Sequence, residues 1–452
     1  MWSIREILKA TAGRLLAGNP DVHITGVSID SRAIKKGDIF ICIKGERFDG
    51  HDFIPQAIKN GAAAICFCRD KAAVCQAIKM PRNAIAVRDT IAALSALAHY
   101  HRKRFSIPVI GISGTNGKTT TKEMLASLLS FRYKVLKNEG TQNNIIGLSL
   151  TLLRLDTSHG IVVLELGTNH FGEIGELCRI SAPTVGLITN IGPAHLEFFG
   201  DEKGVLREKW ELIRGLAFPR IGILNVDDIR LKEKLSRAAG VSFFTFALTN
   251  KADFMAQRIL QKDGKISFYI KNYPLELKTV SKVNVYNALS AYAAARIFGI
   301  EHNVIMSKLK HFRFPKARFQ KKRISGFYVI DDAYNANPAS MHNAIDAFSN
   351  LRTRGRKIAI IGDMLELGQK AGQLHRQAGG ALGESAIDMI IGVGRLAHIA
   401  CDAAQACGLS RKVIYKCDTT DQARAIAISL LKKGDFVLLK GSRAMRLEKI
   451  FN

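Results

Sequence analysis

At 452 residues, 47% of them apolar and 23% charged, the chain has an ordinary globular composition and is too long for one core. No apolar run reaches the roughly 18 residues that cross a bilayer, which excludes a membrane-spanning helix. Lys and Arg number 66 against 39 Asp and Glu, a formal charge of +27. That suits an anionic partner, whether nucleic acid, a phosphorylated substrate or a membrane surface.

The cations are scattered rather than blocked. They are densest at Lys316, Arg318, Lys321, Lys322 and Arg323, and with only two Trp and nine Tyr the chain has no basic–aromatic block. A generally basic surface accounts for them as well as a nucleic-acid partner does, so none is expected.

The N-terminus, MWSIREILKATAGRLL, carries Arg5, Glu6 and Lys9 among its apolar residues. It reads as an amphipathic helix rather than a signal peptide, and a cytoplasmic protein is expected. Short strands and turns follow in VHITGVSIDSR, GDIFICIKG and AAAICFC, with a helical stretch at FIPQAIKNGA. Residues 1–85 therefore read as a small mixed α/β domain. Residues 90–105 have helical apolar spacing and Pro108 ends the run, which makes a connector.

Strand, loop and helix then alternate. Strand-like runs are IPVIGIS, GIVVLELG, TVGLITNIG and RIGILNV, and later FYVIDDA, KIAIIGDM, MIIGVG and DFVLLKG. This alternation predicts largely parallel sheets with helices on both faces. The expected fold class is α/β in three domains: residues 1–85, a central P-loop parallel-sheet domain at 86–314, and a Rossmann-like C-terminal domain at 315–452.

Eight cysteines are spread along the chain: Cys42, Cys66, Cys68, Cys75, Cys178, Cys401, Cys407 and Cys417. None forms a CxxC pair, so buried free thiols are expected rather than zinc. Cys66 and Cys68 alternate in a strand, and one of them should face a core.

The most informative segment is VIGISGTNGKTTTKEMLASLL, from Val109. A strand enters the loop Gly114-Thr115-Asn116-Gly117-Lys118-Thr119-Thr120, and a helix leaves it. Glycines let successive N–H groups curl toward phosphate oxygens, and the helix N-terminus adds positive potential. Lys118 can reach the outer phosphates and the Thr119 hydroxyl can ligate Mg²⁺. The strict motif has glycine five residues before Gly117; here Ile112 stands there. The pattern is therefore a variant, GxxGK[ST].

Other candidates sit at strand ends, where ligands of open α/β sheets gather. Glu165 closes VVLELG. His195 follows ITNIGPA, and a lone histidine is more often structural. Lys209, in VLREKWELI, reads by itself as a solvated helix lysine. Asp331, Asp332, Asn335 and Asn337 cluster before Pro338, as a helix cap or as polar ligands. Asp363, Glu366, Lys440, Ser442 and Arg443 close the later strands.

Taken together, IDSR, KGERFDGHDF, GTNGKTTTKEML, NEGTQNNIIGLSLTLL, ELGTNHFGEI, NIGPAHLEFFG, DDAYNANPASM, GDMLELG and KGSRAM resemble the Mur ligase family over nearly the whole chain. The set points to the member that joins D-alanyl-D-alanine to UDP-N-acetylmuramoyl-tripeptide with ATP and Mg²⁺, through an acyl phosphate, during peptidoglycan precursor synthesis. A tripeptide-forming relative or a folylpolyglutamate synthase fits YNANP and DGHDF less well.

The resemblance implies that Lys118 and Thr119 hold phosphates and, with Glu165, the first Mg²⁺. It implies His195 and a carbamylated Lys209 at a second Mg²⁺. Asn284 and Asn287 fall on the adenine side, and Arg318 and Asp332 reach ATP from the third domain. Ser31, Arg32, Lys44 and Gly45 match the uridine-nucleotide region. Thr141, Asn143 and Asn144 match the muramoyl side, and Asn335 and Asn337 further substrate contacts. One departure is Ser281-Lys282-Val283-Asn284, where the family usually carries Gly-x-His-Asn. A monomer without stable membrane insertion is expected. The third residue of the tripeptide, lysine or diaminopimelate, stays open.

Overall fold

A computed structural model describes residues 2–71, 82–140, 142–262 and 264–451. Thr141 and Cys75 lie outside the described residues. The described residues contain three large sheets, each with its own apolar cores.

Ser3 caps the first helix, Ile4–Thr11, in a reciprocal capping box with Glu6. The helix is shorter than its amphipathic pattern suggests. Ala12 turns left-handed at φ 51°, and Arg14–Ala17 pairs antiparallel with Ala84–Val87. Sheet pairing of Leu15 overrides the local helical pattern. The remaining strands of this five-stranded sheet, Ala64–Cys68, Ile39–Ile41 and Val27–Ser28, run parallel to Ala84–Val87. Cys66 is buried and Cys68 only partly so, and burial pushes the Cys66 thiol up to about 12. The connector helix spans Thr90–Arg102.

The central sheet has nine strands. The strand Val109–Ser113 lies between Ile161–Glu165 and Val185–Ile188, parallel to both. Strand order reverses there, so a crevice opens at the carboxyl ends of these strands. Successive side chains point to opposite faces. Ile110 and Ile112 pack with the P-loop helix Lys118–Leu129 and with Val283–Ile297, while Val109 packs on the opposite face with Leu177, Leu212 and Ile213. Strands covered on both faces are why these runs are continuously apolar.

The parallel expectation fails at one edge. Phe254–Lys262, Lys265–Ile270 and Tyr273–Leu277 extend the sheet as an antiparallel meander. In Lys265–Ile270 the burial alternates strictly, as one solvated face requires.

The third sheet has six strands, and Phe436–Lys440 inserts between Phe327–Asp331 and Lys357–Gly362. Parallel pairing puts Asp331 beside Leu439, so the DDAYNANP turn and Lys440 emerge together. Gln320–Ile324 adds an antiparallel edge. No described helix is long and apolar enough to cross a membrane.

Candidate active site

The P-loop strand stops at Gly114, whose φ is +139°. A Cβ there would lie 2.0 Å from Thr189 Oγ1 and 3.1 Å from Thr189 N. Gly117, at φ +85°, would place a Cβ 2.2 Å from Asn287 Oδ1. Both glycines are required by close approach as well as by backbone conformation. Gly114→Ala is therefore expected to lower stability by at least about 1–3 kcal/mol from backbone strain alone. Calorimetry reads this directly, and an unchanged unfolding midpoint would show that the loop is not packed this way.

Asn190 frames the loop. Its carbonyl accepts from Thr115 N at 2.9 Å and its Oδ1 from Asn116 N at 3.0 Å. Thr115 Oγ1 donates to Gly192 O and accepts from Gly192 N. Thr120 is buried in the first helical turn. Lys118, half-buried, donates to Gly114 O at 2.8 Å and Thr115 O at 3.1 Å, folded over its own loop. Burial pulls its ammonium below the usual lysine range; Glu165 opposes that and Arg318 adds to it.

Thr119 Oγ1 donates to Glu165 Oε2 at 2.8 Å, and Asn143 Nδ2 donates to Oε1 at 2.9 Å. The fully buried Asn138 clamps the Glu165 backbone from both sides, donating to its carbonyl and accepting from its N–H. Glu165 is thus held rigidly at its strand end. Asn144 caps the helix Ile145–Leu152 through Gly147 N.

Residues of the third sheet reach this loop. Arg318 lies over the Tyr334 ring, 3.9 Å from its centroid, and donates to Thr119 Oγ1 at 3.3 Å. Asn337 and Asn116 exchange side-chain hydrogen bonds at 2.8 and 3.2 Å, while Asn337 also caps Pro338–Ser349. His195, at φ +52°, pairs through Nδ1 with Glu366. These contacts enclose a cleft of about 460 Å³, a size usual for ligand sites, whose walls include Lys118, Glu165, His195, Arg318, Asn335 and Lys440. Ile91, at the start of the connector helix, also lines it.

Other expected residues lie off the cleft wall. Asp332 turns away, accepting from Phe319 N at 3.0 Å and pairing with Lys440 Nζ at 2.7 Å. Asn284 and Asn287 hydrogen bond to each other at 3.0 Å beneath Gly117, and Thr279 anchors Asn284. Ser31 is buried and donates to Gln56, whereas Arg32 is exposed and paired with Asp30. Lys44 forms an isolated bridge with Asp49, and Gly45 N donates to Phe48 O, in a separate hairpin of the N-terminal sheet region.

Lys209 corrects the reading of a solvated lysine. It is 2% exposed and makes no hydrogen bond or ion pair with any described residue. Burial and then the charge of Lys118 push it well below the usual lysine range, with Glu208 opposing. Its neighbour Glu208 accepts from Gly172 N and Ile174 N, each at 2.7 Å. Val205, Glu208, Lys209, Leu212 and Ile213 follow core spacing along Glu202–Arg214, a signal present in the sequence. Asn190, Tyr334 and Glu208 lie inside NIGPAHLEFFG, DDAYNANPASM and VLREKWELI, but their contacts are with distant segments and nothing local marks them as site residues.

Three family models match the chain: a Mur ligase family catalytic domain over residues 23–102, a Mur ligase middle domain over 112–295, and a Mur ligase, glutamate ligase domain over 317–443. The chain is 34% identical to a UDP-N-acetylmuramoyl-tripeptide–D-alanyl-D-alanine ligase of Bacillus subtilis, across 99% of this chain and 96% of that one. Among solved structures it is similar to MurF from Acinetobacter baumannii, with a TM-score of 0.90, 31% identity and coverage of 99% and 97% of the two chains. It is also similar to MurF ligase from Thermotoga maritima in complex with ADP, with a TM-score of 0.82, 30% identity and coverage of 95% and 97%.

Proposed function

The chain belongs to the Mur ligase family, and on that premise we propose that it joins D-alanyl-D-alanine to UDP-N-acetylmuramoyl-tripeptide, converting ATP to ADP and phosphate. The observation that carries this reading is the meeting of Lys118, Thr119 and Glu165 with Arg318 across one cleft. Full-length likeness to enzymes named for this reaction, one of them with ADP bound, supports it.

The tripeptide carboxylate attacks the γ-phosphorus and the bond to ADP breaks, leaving an acyl phosphate. The amine of D-alanyl-D-alanine then attacks the carbonyl carbon, loses a proton and expels phosphate. Bringing two anions together needs fixed cations. Lys118 and Arg318 supply them, and Arg318, arriving from the third sheet, is in place only when that part is closed over the P-loop.

The residues present fit Mg²⁺. Thr119 Oγ1 and Glu165 Oε2 are hard oxygens 2.8 Å apart. Among the described residues no three His, Cys, Asp or Glu converge, which suits an ion completed by water and phosphate oxygens rather than an all-protein cage. Bound there, Mg²⁺ would withdraw charge from the transferring phosphoryl group. His195 and a carbamylated Lys209 would hold a second ion. Ser31, Arg32, Lys44 and Gly45 would take the uridine end, and Asn143 and Asn144 the muramoyl side. Asn284 and Asn287 would border the adenine, and Asn335 and Asn337 the incoming dipeptide. A monomer acting in the cytoplasm completes this reading.

The test is phosphate release from ATP with UDP-N-acetylmuramoyl-tripeptides ending in lysine or diaminopimelate. Release and a product heavier by one dipeptide are expected only with D-alanyl-D-alanine present. Equal ligation of single amino acids would overturn the assignment.

A further inference from the structure

Lys440 ends the strand Phe436–Lys440 and is only 3% exposed, yet it borders the cleft. Its Nζ lies 2.7 Å from Asp332 Oδ2 and donates to Asn335 O at 2.9 Å. These two partners flank Tyr334, so one ammonium clips both sides of the turn that carries the ring. The other oxygen of Asp332 accepts from Phe319 N, the residue after Arg318. Ala317 and Phe319 both have positive φ, at 54° and 55°, so this segment does not adopt its path from local preference. Arg318 in turn rests on Tyr334 and reaches Thr119.

We infer that Lys440 is a positioning residue: through Asp332, Asn335 and Tyr334 it builds the seat from which Arg318 engages the P-loop. The inference rests on the ATP-dependent reading above. Asp332 then serves ATP indirectly, by fixing the backbone beside Arg318. A half-buried carboxylate whose two oxygens are committed to Lys440 and Phe319 N is well suited to that and poorly placed to touch a phosphate.

A double-mutant cycle on ATP affinity tests this. Lys440→Met should weaken ATP on the order of tenfold when Arg318 is present, as removal of an orienting partner does. In an Arg318→Ala background the same change should have almost no further effect. KM for the nucleotide-peptide should be unchanged in Lys440→Met, which a general loss of structure would not allow. Equal weakening in both backgrounds, or none in either, would overturn the inference. If Lys440→Met does not fold, Asp332→Asn enters the same cycle with the same two outcomes. Failure of the wild-type protein to bind ATP would instead sink the ligase reading.

Discussion

Lys118→Ala is expected to abolish ligation while leaving the fold intact. Lys118 starts its helix, and its hydrogen bonds go to Gly114 O and Thr115 O of its own loop, so its removal breaks no hydrogen bond to a distant segment. Its desolvated ammonium faces an open cleft where phosphate oxygens would replace those carbonyls. Removing one fixed charge from a phosphoryl group typically lowers kcat on the order of 10²-fold or more. Initial rates beside an unfolding curve check both halves of the prediction. Near-normal turnover in a folded Lys118→Ala protein would falsify the assignment of this loop to ATP.

Lys209→Ala is expected to be nearly inactive, and short carboxylic acids such as acetate should partly restore it. The motivation is a lysine that is 2% exposed, without a described partner, and subject to the positive charge of Lys118. A bare ammonium there is costly, because burial disfavours the charged form. The neutral amine that burial favours is the form that adds CO₂, giving a carbamate and releasing one proton. A carbamate is anionic and can be held beside a divalent cation, whereas an ammonium is repelled. Loss on the order of 10²-fold is expected for Lys209→Ala. Acetate would occupy the vacated space and supply the missing carboxylate. Lys209→Arg should stay inactive with acetate, since it keeps the positive charge and fills the site. Full activity of Lys209→Ala, or of protein stripped of CO₂, would leave this lysine with a packing role alone.

The two predictions differ in where their evidence lies. Lys118 belongs to a contiguous motif, and every feature it needs falls within ten residues: a strand, two glycines and a helix start. Glu165 is similar, because an acid that ends a continuous apolar run marks the carboxyl edge of a buried strand. Such features are legible because backbone conformation at glycine, strand burial and helix initiation are set mainly by near neighbours. The alternation of strands and helices likewise specifies largely parallel sheets from local pattern.

Tertiary structure alone decided which side chains face the cleft. The resemblance puts Asp332 at ATP, but its carboxylate is turned onto Lys440, 108 residues later, and onto Phe319 N. Asn337 reads equally as a cap or a ligand; it caps its helix, locks onto Asn116 of the P-loop and lines the cleft as well. His195 meets Glu366, 171 residues away. The strand Arg14–Ala17 takes its pairing from Ala84–Val87, far along the chain. A side chain's direction and its partner depend on which segments fold together, and a local pattern carries little of that information. Composition, period and motif determined the kind of fold and the phosphate-binding loop of this protein. The packing of distant segments determined that Asp332 is already committed and that Arg318 stands over Thr119.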